Sequence, residues 1–305
     1  MAEAAIQGVA LPGVSVVICT HNRSASLRRT LDLIGSLDLT GLSAGAEVIV
    51  VDNASTDETS GVIAAFRDRA SFPVTYVYEG RPGLGAARNA GIRQAVHPVI
   101  LFTDDDCLPE RDWVRTAARL FSSDLLQVIG GRVEQYNPDH LWLAAKTSPI
   151  EERLHGVGGL LGFLHGANLA IGRPVIDRIG WFDARFGAGT RLKSAEDCEF
   201  VYRALHGGVP VLYKPDLVVS HDHGRSGLRD LLRVSRGYSK GVGAMAMKHG
   251  MAGQTDVLRM VYWDVHSCLR NWRADRLDWR LPASKLSLVS GALQYAVSWS
   301  WRRSS

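Results

Sequence analysis

The chain has 305 residues, of which 46% are apolar and 22% charged, and its formal net charge is +4. That length allows one large domain, or one domain with a smaller appendage; the composition excludes a disordered chain, and the charge is too small to mark a nucleic-acid binder. The cysteines Cys19, Cys107, Cys198 and Cys268 form no CxxC pair, which excludes a disulfide frame and a cysteine zinc site and fits reduced thiols in the cytoplasm.

The opening residues, MAEAAIQGVALPG, lack the basic stretch of a secretory leader. No segment gives the apolar run of a spanning helix; Leu286 to Trp301 comes nearest and is too short and too rich in serine. Val14 to Thr20, VSVVICT, is a β-branched run that predicts a buried strand. Leu27, Leu31, Ile34 and Leu37 then recur at helical spacing, with Ser24 as the N-cap. EVIVVDN predicts a second strand ending at Asp52, and TDETSGVIAAFRDRA a second helix. VTYVY and GLGAARNAGIRQA predict the third pair. PVILFTD predicts a fourth strand and PERDWVRTAARLF a fourth helix, with Pro109 in its first turn. Four such alternations predict an α/β fold, a Rossmann-like and mostly parallel sheet flanked by helices.

After Phe121 the alternation breaks. QVIGGRVEQY, FLHGANLAIG and VPVLYKPDLVVSH predict strands, Trp142 to Gly159 is irregular or helical, and SAEDCEFVYRALHGG predicts a helix closed by glycine. From Arg225 the chain turns helical and basic, which divides it into a main domain, 1–224, and a C-terminal helical extension, 225–305.

Open parallel sheets bind ligands beyond the carboxyl ends of their strands. Three polar clusters fall there: Thr20-His21-Asn22-Arg23, Asp52-Asn53 and Asp104-Asp105-Asp106. In an extended chain Asp104 and Asp106 point to one side and Asp105 to the other. Two convergent carboxylates behind a buried run suit a hard divalent cation; the other reading is a cap or surface cluster ahead of the helix at Glu110. Gly80 to Gly91, GRPGLGAARNAG, opens a helix whose N–H groups suit an anion, although it also reads as a plain turn. Arg88 and Asn89 add donors for a nucleotide, or Arg88 is an exposed helix arginine.

Glu196, Asp197 and Glu199 begin a helix, where the dipole favours acids; the functional alternative is a general base. His221 and His223 share one side of an extended chain, as structural histidines or with one as a further metal ligand. Arg225, Arg229, Arg233, Arg236 and Lys240 make one basic helical face. It reads as a solvated surface, a contact for nucleotide phosphates, or a contact for an anionic membrane, with Trp299 and Trp301 before Arg302-Arg303 as anchors or core.

Seven blocks, VVICTHNRS, VIVVDNASTDET, GLGAARNAGI, FTDDDCLPE, GANLAIGR, GWFDARFGAGTRLKSAEDCEFVYR and YKPDLVVSHDH, run in this order from Val14 to His223. In that order and spacing they resemble the family 2 glycosyltransferases. The resemblance implies the GT-A fold and inverting transfer of a sugar from a nucleoside-diphosphate sugar, UDP-linked, with Mn2+ or Mg2+ as cofactor. It implies that Thr20, Asn22, Arg23, Asp52, Gly85, Arg88, Asn89, Asp104 and Asp105 bind the donor, with Asp52 reading the base and Asp104 near the ribose. It implies that Asp106, with Asp104 and His221, holds the metal, and that Asp197, beside Glu196, is the general base. Gly166-Ala167-Asn168 and Trp181 match segments that line the sugar and acceptor pocket.

The processive synthases of that family carry a QxxRW block and transmembrane helices. Here LLRVSRGY is the nearest stretch, which predicts transfer of a single sugar with Arg233 or Arg236 facing the diphosphate. The expected partners are the nucleotide sugar and an acceptor, with no nucleic acid, in a cytoplasmic protein whose C-terminal basic helices can touch a membrane. A sugar nucleotidyltransferase would carry glycine after its first strand, where THNRS has none. A phosphatase-like hydrolase would place its acids after the first strand. A binding or scaffold protein that has lost activity would not need every acid of the pattern.

Overall fold

In the computed structural model, which describes residues 10–42, 45–141, 143–275 and 283–303, the alternation of the first half is realised. Strand β1 (Val14–Thr20) leads to α1 (Ser24–Ile34), β2 (Ala46–Asp52) to α2 (Thr59–Arg67), and β3 (Val74–Tyr78) to α3 (Leu84–Gln94). β4 (Val99–Asp104) is followed by a three-residue strand, β5 (Cys107–Pro109), before α4 (Trp113–Leu120). The second half supplies β6 (Val128–Gln135), β7 (Glu152–Arg153), β8 (Asn168–Gly172), α5 (Arg173–Ile179), α6 (Glu196–His206) and β9 (Val211–His221). Among the described residues three long helices follow, α7 (Leu228–Met251), α8 (Val257–Asp275) and α9 (Ser287–Arg303). Residues 1–9, Trp142 and the side chains of Trp299 and Trp301 lie outside the described residues.

One sheet in the order β3-β2-β1-β4-β8-β6-β9-β5 organises the molecule, with β7 beside β9. β1 to β4 run parallel, as their helical crossovers require. The rest is mixed: β8 is antiparallel to β4 and β6, β9 is parallel to β6, and β5 and β7 are antiparallel to β9. Alternation along each strand divides the core. Val17, Cys19, Ile49, Val51, Ile100 and Phe102 face α3 and α6, while Val16, Ile18, Val48, Val50 and Leu101 face α1, α2 and α4. Each such side chain, fully buried, contributes roughly 1.5–3 kcal/mol.

Several local expectations are corrected. Ser24 is the first helical residue, with Arg23 at the cap, and its N–H bonds the Asp57 carboxylate. Pro109 belongs to β5, on a sheet edge where a missing N–H is tolerated, and α4 begins only at Trp113. FLHGANLAIG becomes strand only from Asn168, because its first half is spent on the site. The helix α5, with proline in its first turn, was hidden in the short RPVIDRI.

The helical extension is fastened to the sheet domain. Ser194 Oγ donates to the Gly237 carbonyl at 3.0 Å. Lys248 pairs with Glu199 at 2.6 Å and with Asp183 at 2.8 Å, so α7 is bolted to α6 and to the loop before it. α9 lies directly on α7: a Cβ on Gly243 would sit 1.9 Å from the Leu288 carbonyl oxygen, and one on Gly291 1.9 Å from that of Lys240. No helix among the described residues is long and apolar enough to cross a membrane.

Candidate active site

Sheet register gathers the polar clusters. Cys19 stands opposite Asp104 and Thr20 opposite Asp52, so the first three strand ends open on one edge. At the far end β5 pairs with β9, Cys107 against His221, which returns the end of β9 to the acid triplet. The loops at this edge hold non-glycine residues at positive φ: Asn22 at 52°, Ala54 at 61°, Lys193 at 74° and Ala195 at 72°. Such conformations cost free energy and cluster where a loop serves a ligand.

The triplet is split by a turn. Asp104 continues the alternation of β4 and faces α3, where the Arg88 guanidinium lies 3.8 Å away. At Asp105 and Asp106 the chain turns before β5. Asp105 is diverted toward β1 and α1: its carboxylate accepts from Thr20 Oγ1 at 2.7 Å and lies 3.1 Å from Arg23, and its carbonyl accepts from Thr30. Burial pushes that carboxyl up to about 7 against the pull of Arg23. Asp106 accepts from Arg23 at 2.7 Å, and its other oxygen is 3.1 Å from His221 Nε2. Burial opposes the Asp106 charge, but His221 and Arg23 outweigh it and hold the carboxyl below its usual range.

These residues fit a hard divalent cation. Ligand atoms of Asp104, Asp106, Cys107 and His221 all lie within 4.8 Å of one another. Asp106 Oδ1 is buried, and although His221 Nε2 lies 3.1 Å away it has no well-formed hydrogen bond, a costly state that a metal between them would relieve. Cys107 is the poor member, since burial holds its thiol well above the usual range. His223 is fully spent: Nε2 reaches the Leu141 carbonyl at 2.8 Å and Nδ1 accepts from the Arg225 N–H at 3.0 Å. Of the two histidines, His221 alone faces the carboxylates.

Arg88 is the buried centre of the edge, at 2% exposure. It donates to Glu196 at 3.0 Å, lies beside Asp104, and is flanked by the Phe102 and Phe182 rings. A Cβ on Gly166 would come 2.2 Å from its guanidinium, so glycine there makes its space. Glu196 is pushed above its usual range by burial and by Asp197, with Arg88 opposing. Asp197 is only half-buried, and its oxygens accept from the Gly166 and Cys198 N–H groups at 2.9 and 2.7 Å. Glu199 points elsewhere, into the α6–α7 contact.

Other expected residues act on the loops. Asn22 accepts from the Thr56 N–H, Asn89 makes two hydrogen bonds to the Phe182 backbone, and Gly85 admits the Asp183 and Phe186 carbonyls at close range. Asp52 is buried and accepts from the Ser55 N–H and Tyr76 hydroxyl. Arg233 pairs with Asp230, its side chain 74% exposed, and Arg236 is exposed.

Asn53, placed at a strand end by the sequence but given no role of its own, ties the Glu79 and Arg81 carbonyls and the Gly83 N–H together, which shapes the glycine loop. Two residues escaped sequence reasoning. His165, just before Gly166, feels Asp197 and His221, and burial holds its imidazole below the usual range. Tyr238 of α7, although 46% exposed, feels the same acids: desolvation and then Asp197, Glu196 and Asp104 raise its phenol above the usual range. The only signals were position beside GAN and within LLRVSRGY.

A parallel sheet half that opens on an acid cluster, completed by antiparallel strands, defines the GT-A class of α/β fold. Residues 15–180 match the family model described as glycosyl transferase family 2, and the chain belongs to that family. The glycosyltransferase AglE of Haloferax volcanii is 26% identical over 230 residues, 74% of this chain and 73% of that protein. Validoxylamine A glucosyltransferase of Streptomyces hygroscopicus subsp. jinggangensis is 30% identical over 233 residues, covering 66% of this chain but only 53% of that enzyme. Among solved structures, the mannosyltransferase PcManGT from Pyrobaculum calidifontis, in complex with GDP-Man and Mn2+, superposes with a TM-score of 0.60 at 21% identity, covering 97% of this chain and 82% of that one. TarS residues 1–349 from S. aureus, in complex with UDP-GlcNAc, gives 0.59 at 16% identity, covering 93% and 81%.

Proposed function

We propose that the chain transfers a single sugar from a nucleoside-diphosphate sugar, UDP-linked, to an acceptor, with inversion. The observation that carries this reading is the joining, through Arg88, of Asp104 in the cation-suited cluster to Glu196 beside Asp197. Complexes of GT-A neighbours with UDP-GlcNAc and with GDP-Man support the donor class.

Asp197 suits the base because backbone N–H groups orient its carboxylate while it remains half-buried, whereas Glu196 is committed to Arg88. In the proposed step the acceptor proton passes to Asp197 as the acceptor oxygen attacks the anomeric carbon. The bond from that carbon to the diphosphate oxygen breaks, and its electron pair leaves with the nucleoside diphosphate. One displacement inverts the centre. Asp106, Asp104 and His221 would hold Mn2+ or Mg2+, which when bound would neutralise charge on the leaving diphosphate. Asp52 would receive the base and Asp104 the ribose, while Thr20, Asn22, Arg23, Gly85, Arg88, Asn89 and Asp105 hold the donor loops and charges in place. On this reading residues 1–224 carry the chemistry.

The test is a screen of UDP- and GDP-sugars by thermal shift and by nucleotide release, with and without Mn2+. Stabilisation that needs nucleotide and metal together supports the reading. Equal stabilisation of Asp104→Asn/Asp106→Asn protein would remove the metal assignment.

A further inference from the structure

α9 is uncharged over most of its length and is covered on one side only. Leu288, Gly291 and Tyr295 are buried toward α7 and the sheet domain. On the opposite side Leu286, just ahead of the helix, Val289 and Leu293 stand at 74%, 59% and 60% exposure. Their spacing of three and four residues places them in one row. No charged residue occurs from Ser287 to Trp301. A row of large exposed apolar side chains on a helix without a charged face calls for a second cover.

Charge says what the cover is. From 257 to 303 the sequence has eight Lys or Arg against three Asp and no Glu, in a chain whose whole balance is +4. Five of the eight tryptophans fall in the same stretch. α8 adds an exposed Tyr262 and Trp263, and Lys285, two residues ahead of α9, pairs with Asp264 of α8 at 2.8 Å. A second copy would bring one net-positive segment against another, which is unfavourable. An anionic lipid surface matches all three features: the apolar row of α9, the exposed Tyr262 and Trp263 of α8, and the basic excess of the 257–303 sequence. A helix docked there would lie along the surface, since no described helix is long and apolar enough to cross it.

We propose that the Leu286–Val289–Leu293 face of α9 docks on an anionic bilayer surface. The test is co-sedimentation of the full chain with phosphatidylcholine vesicles, with and without about a third phosphatidylglycerol. Binding to the anionic vesicles, about tenfold or more above the neutral ones and weakened by salt, is expected. The Leu286→Ser/Val289→Ser/Leu293→Ser variant should lose about tenfold in partition while keeping its melting temperature within a few degrees, because these side chains are already exposed. Hydrogen exchange on the unaltered chain should show α9 amides slowed by anionic vesicles, a readout that needs no variant. Equal binding to both vesicles, undiminished binding by the folded variant, or no slowing in α9 would overturn the proposal. A dimer that the triple substitution dissociates would overturn it in favour of a second copy.

Discussion

Arg88 donates to Glu196 at 3.0 Å from a position almost wholly out of solvent. One guanidinium therefore joins the strand that ends in Asp104 to the helix that begins with Glu196-Asp197. Its charge is not spare: each acid it faces is buried or half-buried, and desolvation would otherwise favour their neutral forms.

Removing that cation strands Glu196. Arg88→Gln should cost about 3–5 kcal/mol, the scale for breaking a buried pair from one side. Arg88→Gln/Glu196→Gln should recover part of the loss. Chemical denaturation of the four proteins in a double-mutant cycle measures the coupling. A coupling indistinguishable from zero would show that the pair acts only as packing.

Asp197→Asn keeps the shape of the carboxylate and removes its basicity. Nucleotide release in the presence of acceptor should fall by about 10²–10⁴, with nucleotide affinity within a factor of about two. Turnover close to that of the parent would move the base elsewhere.

The two histidines separate metal binding from folding. His221→Ala should weaken Mn2+ binding in calorimetric titration by about tenfold or more. His223→Ala should leave Mn2+ affinity unchanged and lower the melting temperature, since both its nitrogens already hold the Leu141–Arg225 turn. The opposite pattern would exchange their roles.

Acid stability should depend on Glu199. Burial opposes its charge, but His249, Arg203 and Lys248 hold the carboxyl down to about 2, against an ordinary 4.5. As pH falls, the unfolded chain takes up this proton first. The contribution, roughly 3 kcal/mol, is full above pH 4.5 and disappears toward pH 2. Lys248→Met should raise the folded-state value and move the acid unfolding midpoint upward, read by circular dichroism.

The α7–α9 contact depends on two absent side chains. Gly243→Ala should cost about 1–3 kcal/mol, because the Leu288 carbonyl must move. Gly250→Ala, in the same helix with open space at its Cβ, should be neutral or stabilise by up to about 1 kcal/mol. Melting curves of the pair distinguish packing from helix propensity.

The amino-acid order alone determined the first half of this protein. Period-two apolar runs and period-3.6 helices are local signals, and they placed β1 to β4, α1 to α3 and the polar strand ends within a few residues. The opposed directions of Asp104 and Asp105 were also legible, although a turn rather than an extended chain separates Asp105 from Asp106. The family blocks then named the candidate acids. Local signals could not reach contacts made across the chain. That Asn89 braces Phe182, that Arg88 is buried on Glu196 and that His221, not His223, meets Asp106 each depends on a partner 93, 108 or 115 residues away. β5 and the mixed half of the sheet were decided the same way, because a three-residue strand has no periodicity of its own and exists only by pairing with β9. Side-chain roles at the site were set by tertiary structure, because desolvation and pairing are properties of the surroundings and not of the residue.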